Sequence, residues 1–321
     1  MNDPSTQPID IAEQREWLIE HSKATGVKIA PLAKRVGIPY GTLSQFVSTK
    51  GYAGDERKLA EKIYRYRQTL ASQQVLRMEA PEIPGYFRTD TSTELEGLLK
   101  IAQRGRIVVA AMGPGTGKTM TAKQFCAAYS NVHMATMRPS SAGVNNMQIA
   151  VLKSLGERDA KGTPQKLSQM ICDRVRDLTN PLLIIDEAQH LSEKAIEEIR
   201  SWHDETDVGI ALLGNIGVMQ RLEGGNRAAA YAQLYSRIGQ RLVRNVPLKS
   251  DALALAEAWN IHGEDEQAFI CKVALLPGGL RGATMMLEWA SMIAHANHAE
   301  ALTEDHLQDA WANLSSRAVS A

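Results

Sequence analysis

The stretch that decides the fold is residues 106–119, RIVVAAMGPGTGKT. It starts with a short apolar run of the kind that forms a buried strand, and it ends in Gly113-Pro-Gly-Thr-Gly-Lys-Thr119, which a helical segment follows. Glycines let the chain curl so that successive backbone N–H groups converge on phosphate oxygens at the positive end of a helix. A strand, a glycine-rich loop and a helix in this order predict a phosphate-binding loop.

Each residue of this loop is expected to contact a bound nucleotide. The loop pattern assigns Lys118 to the β- and γ-phosphates and the Thr119 hydroxyl to Mg²⁺. One position departs from the pattern G-x-x-x-x-G-K-[ST], because residue 112 is Met112 and the glycine comes one place later. We therefore expect the entry of the loop to differ from the usual form. The predicted nucleotide-binding residues are Gly113, Pro114, Gly115, Thr116, Gly117, Lys118, Thr119 and Met120.

A second apolar run, LLIIDE at residues 182–187, ends in two carboxylates. Asp186 can bind Mg²⁺, and Glu187 can orient a water molecule for attack on the γ-phosphate. Two solvated acids at the end of a strand are the alternative, which is the weaker one because a phosphate loop precedes them in the same chain. The pair predicts hydrolysis as well as binding.

Three more polar residues are candidates for contacts with the reacting phosphate. Asn215 ends the apolar run that begins at Ile210, where it can contact the attacking water or the γ-phosphate; an ordinary turn residue is the alternative. Arg237 precedes the fifth predicted strand, and Arg281 opens a predicted helix. Either arginine can be an ordinary surface charge, or it can stabilise the charge on the transferring phosphoryl group, often from a neighbouring subunit.

The order of predicted elements indicates an α/β core with a helical domain on each side. Strand-like runs alternate with helical segments, which is typical of a mostly parallel sheet. The strands are predicted at 106–112, 131–136, 182–186, 209–213 and 241–246, and the C-terminal helices at 251–260, 265–275, 281–297 and 304–313. A capping box of Thr91 and Glu94 is expected to open the first core helix. The predicted domains are a helical domain (1–78), a linker with prolines and glycine (79–90), the core (91–249) and a helical subdomain (250–321).

Residues 29–46 fit a helix-turn-helix template. Leu32, Ala33, Val36, Ile38, Leu43 and Phe46 are small or apolar where two helices must pack, and Gly37 falls in the turn. The whole chain carries 36 basic and 36 acidic side chains, yet residues 21–80 hold 11 basic and 4 acidic ones, a local charge of +7. We expect contact with DNA and little sequence preference; a bundle for protein contact is the alternative. The predicted contacts are Lys34, Arg35, Tyr40, Thr42, Ser44, Gln45, Ser48 and Lys50.

Composition excludes several other classes of protein. Hydrophobic residues make up 44% of the chain, and no apolar run approaches the ~20 residues of a membrane helix. The N-terminus, MNDPSTQP, lacks the basic start and apolar stretch of a signal peptide. Cys126, Cys172 and Cys271 are far apart, so neither a disulfide nor a zinc site is expected. We expect a protein of the cytoplasm.

Together these motifs resemble an AAA+ ATPase. The resemblance makes Gly113–Thr119 a Walker A motif and Asp186 with Glu187 a Walker B motif, Asn215 sensor 1, Arg237 an arginine finger acting in trans, and Arg281 sensor 2. The chain also resembles, over most of its length, the family of the phage Mu B transposition protein, in the N-terminal helical module and in IIDEAQHL, LLGN, GGNR (224–227), YSRIGQR and PGGLR.

The resemblance to this family implies a set of partners. ATP and Mg²⁺ would be the cofactors, and the proteins would form helical filaments on double-stranded DNA, capture target DNA and stimulate a DDE-type transposase. Loops inside the filament would also grip DNA, which makes Arg138 in the segment Thr136–Ser141 a candidate, with a plain connecting loop as the equal alternative. The run Met285, Met286, Leu287 and Trp289 is expected to be bundle core rather than a partner groove.

Two other functions remain open at this point. A helicase loader or initiator shares the AAA+ core and a DNA-binding module, and it would bind a replicative helicase instead of a transposase. A helix-turn-helix transcription regulator that only binds nucleotide would show a strong sequence-specific footprint and no DNA-stimulated phosphate release.

Overall fold

The computed structural model describes residues 9–48, 52–79, 81–223 and 236–316. The chain divides into two compact units, Met1–Pro81 and Glu82–Ala321. No helix in the described part of the chain has both the length and the apolar character that crossing a membrane requires.

The N-terminal unit contains four helices, α1 (Ile11–Thr25), α2 (Ile29–Val36), α3 (Tyr40–Val47) and α4 (Glu56–Glu79). A short turn joins α2 to α3, and Gly37 ends α2 with φ of 71°, a left-handed conformation that glycine adopts without steric cost. The six template positions from Leu32 to Phe46 are all buried, at 0–9% exposure. The predicted helix-turn-helix packing is therefore confirmed.

Arg15 connects three helices of this unit. Its guanidinium lies 4.7 Å from the centre of the Phe46 ring on α3, and its Nη2 lies 2.6 Å from Glu56 Oε1 on α4. A cation over an aromatic face and an ion pair that is two-thirds shielded from water both stabilise the packing of α1 on its neighbours.

The second unit is built on a five-stranded parallel sheet with the strand order β2-β3-β4-β1-β5. The strands are β1 (Ile107–Met112), β2 (Val132–Thr136), β3 (Leu182–Asp186), β4 (Gly209–Gly214) and β5 (Ile238–Arg244). This confirms the predicted α/β core. The prediction of β5 at 241–246 was wrong by three residues at its start, because β5 is a half-exposed edge strand and its first residues, Ile-Gly-Gln-Arg, give no apolar run.

Helices cover both faces of the sheet. The helices are α5 (Asp90–Ala102), α6 (Lys118–Ala128), α7 (Val144–Ser154), α8 (Pro164–Arg176), α9 (Glu193–Thr206) and α10 (Ile216–Glu223). Ile107, Val109 and Ala111 point into the core beneath α7, α8 and α9, while Val108 and Ala110 point into the core beneath α5 and α6. Burial on both faces explains why β1, β3 and β4 are continuous apolar runs.

The start of α5 differs from the prediction. The capping box is formed by Thr89 and Ser92 and not by Thr91 and Glu94. Thr91 instead donates from its N–H and its Oγ1 to the carboxylate of Asp251, at 3.0 and 2.5 Å. Because Asp251 is buried in the first turn of the C-terminal bundle, these bonds tie that bundle to the core.

The C-terminal bundle contains α11 (Lys249–Ala258), α12 (Glu264–Ala274), α13 (Gly279–Ala296) and α14 (Glu304–Ser316). Met286 and Leu287 are buried in its core, as predicted for the run in α13. Met285 and Trp289 were also expected there, yet they are 47% and 42% exposed. The 3.6-residue period turns them to the opposite side of α13.

Candidate nucleotide site

A cleft of about 440 Å³ opens at the phosphate loop. Its walls come from three parts of the second unit: the loop itself, the segment 83–89 that precedes α5, and the first turns of α13. The segment 83–89 lies within the stretch that the sequence predicted to be a linker, and it contributes Ile83, Tyr86 and Phe87. Its lack of periodicity hid this role.

The structure explains the departure at Met112. Met112 is the last residue of β1, is 1% exposed and packs in the core. Gly113 follows it, and its N–H donates to the Arg244 carbonyl at 2.8 Å. A Cβ at residue 113 would lie only 1.9 Å from the Asn245 carbonyl oxygen. Glycine is therefore required at residue 113, where β5 approaches, while residue 112 has room for a core side chain.

The loop then turns into α6. Gly117 has φ of 84° and precedes Lys118, the first residue of the helix. The Thr116 hydroxyl donates to the Gly113 carbonyl at 2.9 Å, which closes the loop on itself. Lys118 and Thr119 thus sit in the first turn of α6, where unpaired N–H groups and the helix dipole favour an anion. Met120, which was predicted to bind the nucleotide, also lines the cleft and is 54% exposed.

Asp186 lies beside Thr119. The Thr119 hydroxyl donates to Asp186 Oδ2 at 3.0 Å, and the carboxylate is 1% exposed. Its other oxygen, Oδ1, is buried and forms no hydrogen bond within the described residues. Burial raises the pKa of Asp186, and the Lys118 cation and the Thr119 hydroxyl oppose that rise. A buried carboxylate oxygen without a hydrogen bond, next to a hydroxyl, fits an oxygen-binding divalent cation such as Mg²⁺.

Glu187 faces the same cleft with an unusual backbone. Its φ of 55° and ψ of 38° lie in the left-handed region, which non-glycine residues seldom adopt. Its Oε1 lies 3.6 Å from Lys118 Nζ, and its Oε2 accepts a hydrogen bond from the side-chain amide of Gln189. The sequence reasoning missed Gln189, whose only signal was a polar residue two places after the acidic pair.

Asn215 follows β4 at the same end of the sheet, but it does not line the cleft. Its Oδ1 accepts from the Gly217 N–H at 2.9 Å, and its own N–H donates to Gln189 Oε1 at 3.3 Å. Asn215 is thus linked to Glu187 through Gln189. In this conformation its side-chain oxygen caps α10.

The first turn of α13 packs directly on the phosphate loop. The Leu280 N–H donates to the Gly115 carbonyl at 2.9 Å. A Cβ at residue 115 would lie 1.9 Å from the Gly278 carbonyl oxygen, so the two backbones touch only because Gly115 has no side chain. Arg281, predicted as a site residue, lines the cleft together with Thr284 and Glu288, which the sequence did not single out.

Arg237 lies at the opposite end of the sheet. It directly precedes β5, whose first residue pairs with Ile107 at the start of β1, whereas the phosphate loop follows the end of β1. Six residues of strand separate these positions, which is about 20 Å. Arg237 Nε donates to Asp204 Oδ1 at 2.6 Å. The structure therefore does not bring Arg237 to the phosphate loop of its own chain.

The described candidate DNA contacts of the N-terminal unit lie on α2, on α3 and directly after α3. Lys34, Arg35, Tyr40 and Gln45 are exposed, and Thr42, Ser44 and Ser48 are partly exposed. Lys50 lies outside the described residues, as does the GGNR stretch at 224–227.

Arg138 belongs to the second unit. It is exposed in the loop after β2, and this loop adjoins the Walker B strand because the Met137 N–H donates to the Asp186 carbonyl at 2.8 Å.

Comparison with known proteins agrees with this geometry. An AAA domain matches residues 102–222, and the C-terminal domain of the Mu B transposition protein matches residues 236–314. The chain is 33% identical over 306 residues to the ATP-dependent target DNA activator B of Escherichia phage Mu, which covers 95% of both chains. The chain belongs to the Mu B family of transposition proteins. This confirms the resemblance to an AAA+ ATPase of this family that the motifs indicated.

Other relatives extend the match. The Mu-like prophage FluMu DNA transposition protein B of Haemophilus influenzae is 30% identical over 267 residues, 82% of this chain and 91% of the relative. Among solved structures, the match to the Aeropyrum pernix ORC2 protein covers 72% of this chain and 70% of the ORC2 chain, with a TM-score of 0.53 and 19% identity. The match to the Aeropyrum pernix ORC1 protein in complex with DNA covers 74% of this chain and 68% of the ORC1 chain, with a TM-score of 0.53 and 17% identity. These structures share the AAA+ fold.

Proposed function

We propose that this Mu B family protein is a Mg²⁺-dependent, DNA-stimulated ATPase that assembles into filaments on double-stranded target DNA and activates a DDE-type transposase. ATP binding would drive assembly with little dependence on DNA sequence, and hydrolysis would release the filament. The observation that carries the proposal is the separation of Arg237 from the phosphate loop of its own chain by about 20 Å of strand.

Different residues of the cleft bind the phosphates, hold Mg²⁺ and activate the attacking water. The N–H groups between Gly113 and Thr119 and the Lys118 ammonium bind the phosphates. Thr119 and Asp186 hold Mg²⁺, which when bound neutralises negative charge on the phosphates. Glu187 orients the attacking water and accepts its proton at a carboxylate oxygen. Ile83 and the residues after it offer an apolar wall for the base.

Arg237 makes self-association part of the reaction. Stabilisation of the transferring phosphoryl group by an arginine from another subunit accelerates hydrolysis by about 10³- to 10⁵-fold in other ATPases and GTPases. Since Arg237 is paired with Asp204 far from its own phosphate loop, the loop that it can complete is one in a neighbouring copy. On this proposal Asn215 and Arg281 report the state of the phosphates to α10 and to the C-terminal bundle.

DNA contact is proposed for both units. In the N-terminal unit Lys34 and Arg35 bind phosphates and the exposed side of α3 faces the groove, where only Gln45 suits bidentate base contact. In the second unit Arg138 binds phosphate. The printed names of the relatives, a target DNA activator and a DNA transposition protein, favour target DNA and a transposase as partners. Relatives from a phage and a prophage favour the bacterial cytoplasm as the site of action.

Electron microscopy with duplex DNA tests the proposal. The purified protein is mixed with duplexes of unrelated sequence in the presence of no nucleotide, ATP or ADP, and the Lys118→Ala variant serves as the control for nucleotide binding. We expect filaments on every duplex with ATP, few with ADP and none with Lys118→Ala. Isolated particles at one sequence, with or without nucleotide, would contradict the proposal and favour a transcription regulator.

A further inference from the structure

We propose that Gln189 is a positioning residue for ATP hydrolysis, which holds the Glu187 carboxylate so that one of its oxygens is presented to the attacking water. The inference rests on the proposed function, in which Glu187 acts on that water. Gln189 itself has no proposed contact with phosphate, metal or DNA.

The contacts of Gln189 define the role. Its amide nitrogen donates to Glu187 Oε2, and its amide oxygen accepts from the Asn215 N–H at 3.3 Å. One side chain therefore joins the turn after β3 to the turn after β4. A glutamine can do both at once because its amide carries a donor and an acceptor.

A glycine at the end of β4 leaves the space that the amide of Gln189 occupies. A Cβ at residue 214 would lie 2.6 Å from Gln189 Oε1 and 2.3 Å from Val218 Cγ2. Gly214, the glycine of LLGN, thus makes room for the amide. On the other side, Glu187 sits in a left-handed conformation, and the bond from Gln189 fixes where its carboxylate points from that strained position.

The two oxygens of Glu187 have different partners. Oε1 faces the Lys118 ammonium at 3.6 Å, while Oε2 is held by Gln189. When Lys118 turns to the phosphates of ATP, Oε1 becomes available to the attacking water and Gln189 continues to hold Oε2. Without Gln189 the carboxylate would rotate about its side-chain bonds, and misplacement of a catalytic group by about 1 Å can cost about 100-fold in rate.

Two substitutions distinguish the hydrogen bond that Gln189 donates to Glu187 from the packing of its side chain. Gln189→Met keeps the length and the partly buried character of the side chain but removes both hydrogen bonds. Gln189→Glu keeps the shape and the oxygen that accepts from Asn215 but cannot donate to Glu187 when ionised. We expect kcat for ATP hydrolysis to fall about 10- to 100-fold in both variants. KM for ATP and the affinity for a fluorescent ADP analogue should stay within about twofold of wild type, because Gln189 has no proposed contact with the phosphates.

A matched control comes from Gln169, whose amide donates to the Asp173 carboxylate at 2.8 Å on the surface of α8. Gln169→Met should leave kcat unchanged. In a Glu187→Gln background, Gln189→Met should lower the residual rate no further, because the group that it positions is already lost.

The result that would overturn the inference is a wild-type kcat in Gln189→Glu or an additive loss in the double variant. A loss of ADP affinity that equals the loss of kcat would also overturn it, since that pattern indicates a structural defect. If the wild-type protein itself hydrolyses no ATP with DNA present, the proposed function fails and not this inference alone.

Discussion

The two ends of the parallel sheet differ in what they contain. At the carboxyl ends of β1, β3 and β4 lie the phosphate loop, the Asp186–Glu187 pair and Asn215; the loop contacts the acidic pair directly, and Asn215 is linked to Glu187 through Gln189. At the amino end of β5 lies Arg237, paired with Asp204. One end holds the groups that we propose bind the nucleotide, and the other holds a cation about 20 Å of strand away from them. On the proposed function, this difference means that one chain binds ATP alone and that two chains are needed to hydrolyse it.

The largest effect is expected at the carboxyl end, from Lys118→Ala. Loss of the ammonium removes charge-assisted bonds to the phosphates and the cation that stabilises ionised Asp186. ATP affinity should fall by about 10- to 100-fold, which corresponds to the ~1.5–3 kcal/mol of hydrogen bonds to charged groups. Titration with a fluorescent ATP analogue measures it. The exposed Lys123 of the same helix provides the control, and equal losses in Lys118→Ala and Lys123→Ala would contradict the site.

A smaller effect at the same end is expected from Gly115→Ala. The added methyl group would overlap the Gly278 carbonyl oxygen, so the first turn of α13 must move off the phosphate loop. The backbone at residue 115 also has a φ of 73°, which is strained for alanine. We expect ATP affinity about 10-fold weaker, because the cleft loses one wall. Gly97→Ala in α5, where nothing lies within 4 Å, should keep wild-type affinity. Unchanged binding in Gly115→Ala would show that contact between α13 and the loop does not matter for ATP.

Substitutions in the N-terminal unit test whether DNA binding depends on residues outside the sheet. Lys34→Ala combined with Arg35→Ala should weaken DNA binding several-fold on all sequences and reduce the slope of log K against log salt by about 2, one for each cation. Fluorescence anisotropy at a series of salt concentrations measures the slope. Lys23→Ala, an exposed lysine on α1, is the control. A slope identical to wild type would remove these residues from the DNA contact.

The smallest effect is expected on stability, from Asp186→Asn. Burial raises the pKa of Asp186, so the folded protein binds that proton more tightly than the unfolded chain does. The ionised carboxylate therefore lowers stability at neutral pH, and this deficit disappears as the pH falls through the folded pKa. Without nucleotide, the variant should melt about 2–4 °C higher, the shift that ~1 kcal/mol produces in a domain of this size. Scanning calorimetry compares it with Asp173→Asn at the surface, and a lower Tm for Asp186→Asn contradicts the prediction.

The parts of the fold that the sequence predicted are those with a repeating physical constraint. β1, β3 and β4 are buried on both faces and are therefore continuous apolar runs. The helix-turn-helix was visible because six positions from Leu32 to Phe46 must be small or apolar. The edge strand β5 lacks this constraint, and its start was misplaced by three residues.

Parts of the site without such a constraint were missed. The segment 83–89 forms a cleft wall through its position against the loop, and no periodicity accompanies that position. Gln189 gains its role from Glu187 and Asn215, and Asn215 is 26 residues away in the chain. The cap at Thr89 was misassigned to Thr91 because Asp251, the partner of Thr91, lies 160 residues further on. Long-range pairing of single polar residues leaves little trace in a sequence.

The central claim, that hydrolysis needs Arg237 of a second copy, is tested most directly by mixing two inactive variants. Glu187→Gln keeps Arg237, and Arg237→Ala keeps Glu187; the ATPase rate of each is measured alone and in a 1:1 mixture on duplex DNA. Arg176→Ala, which removes another surface arginine paired with an acid, serves as the control and should be fully active. We predict rates near background for each variant alone and recovery to about a quarter of wild type in the mixture, the fraction of sites that combine both groups. A mixture as inactive as its parts, or a fully active Arg237→Ala, would contradict the account.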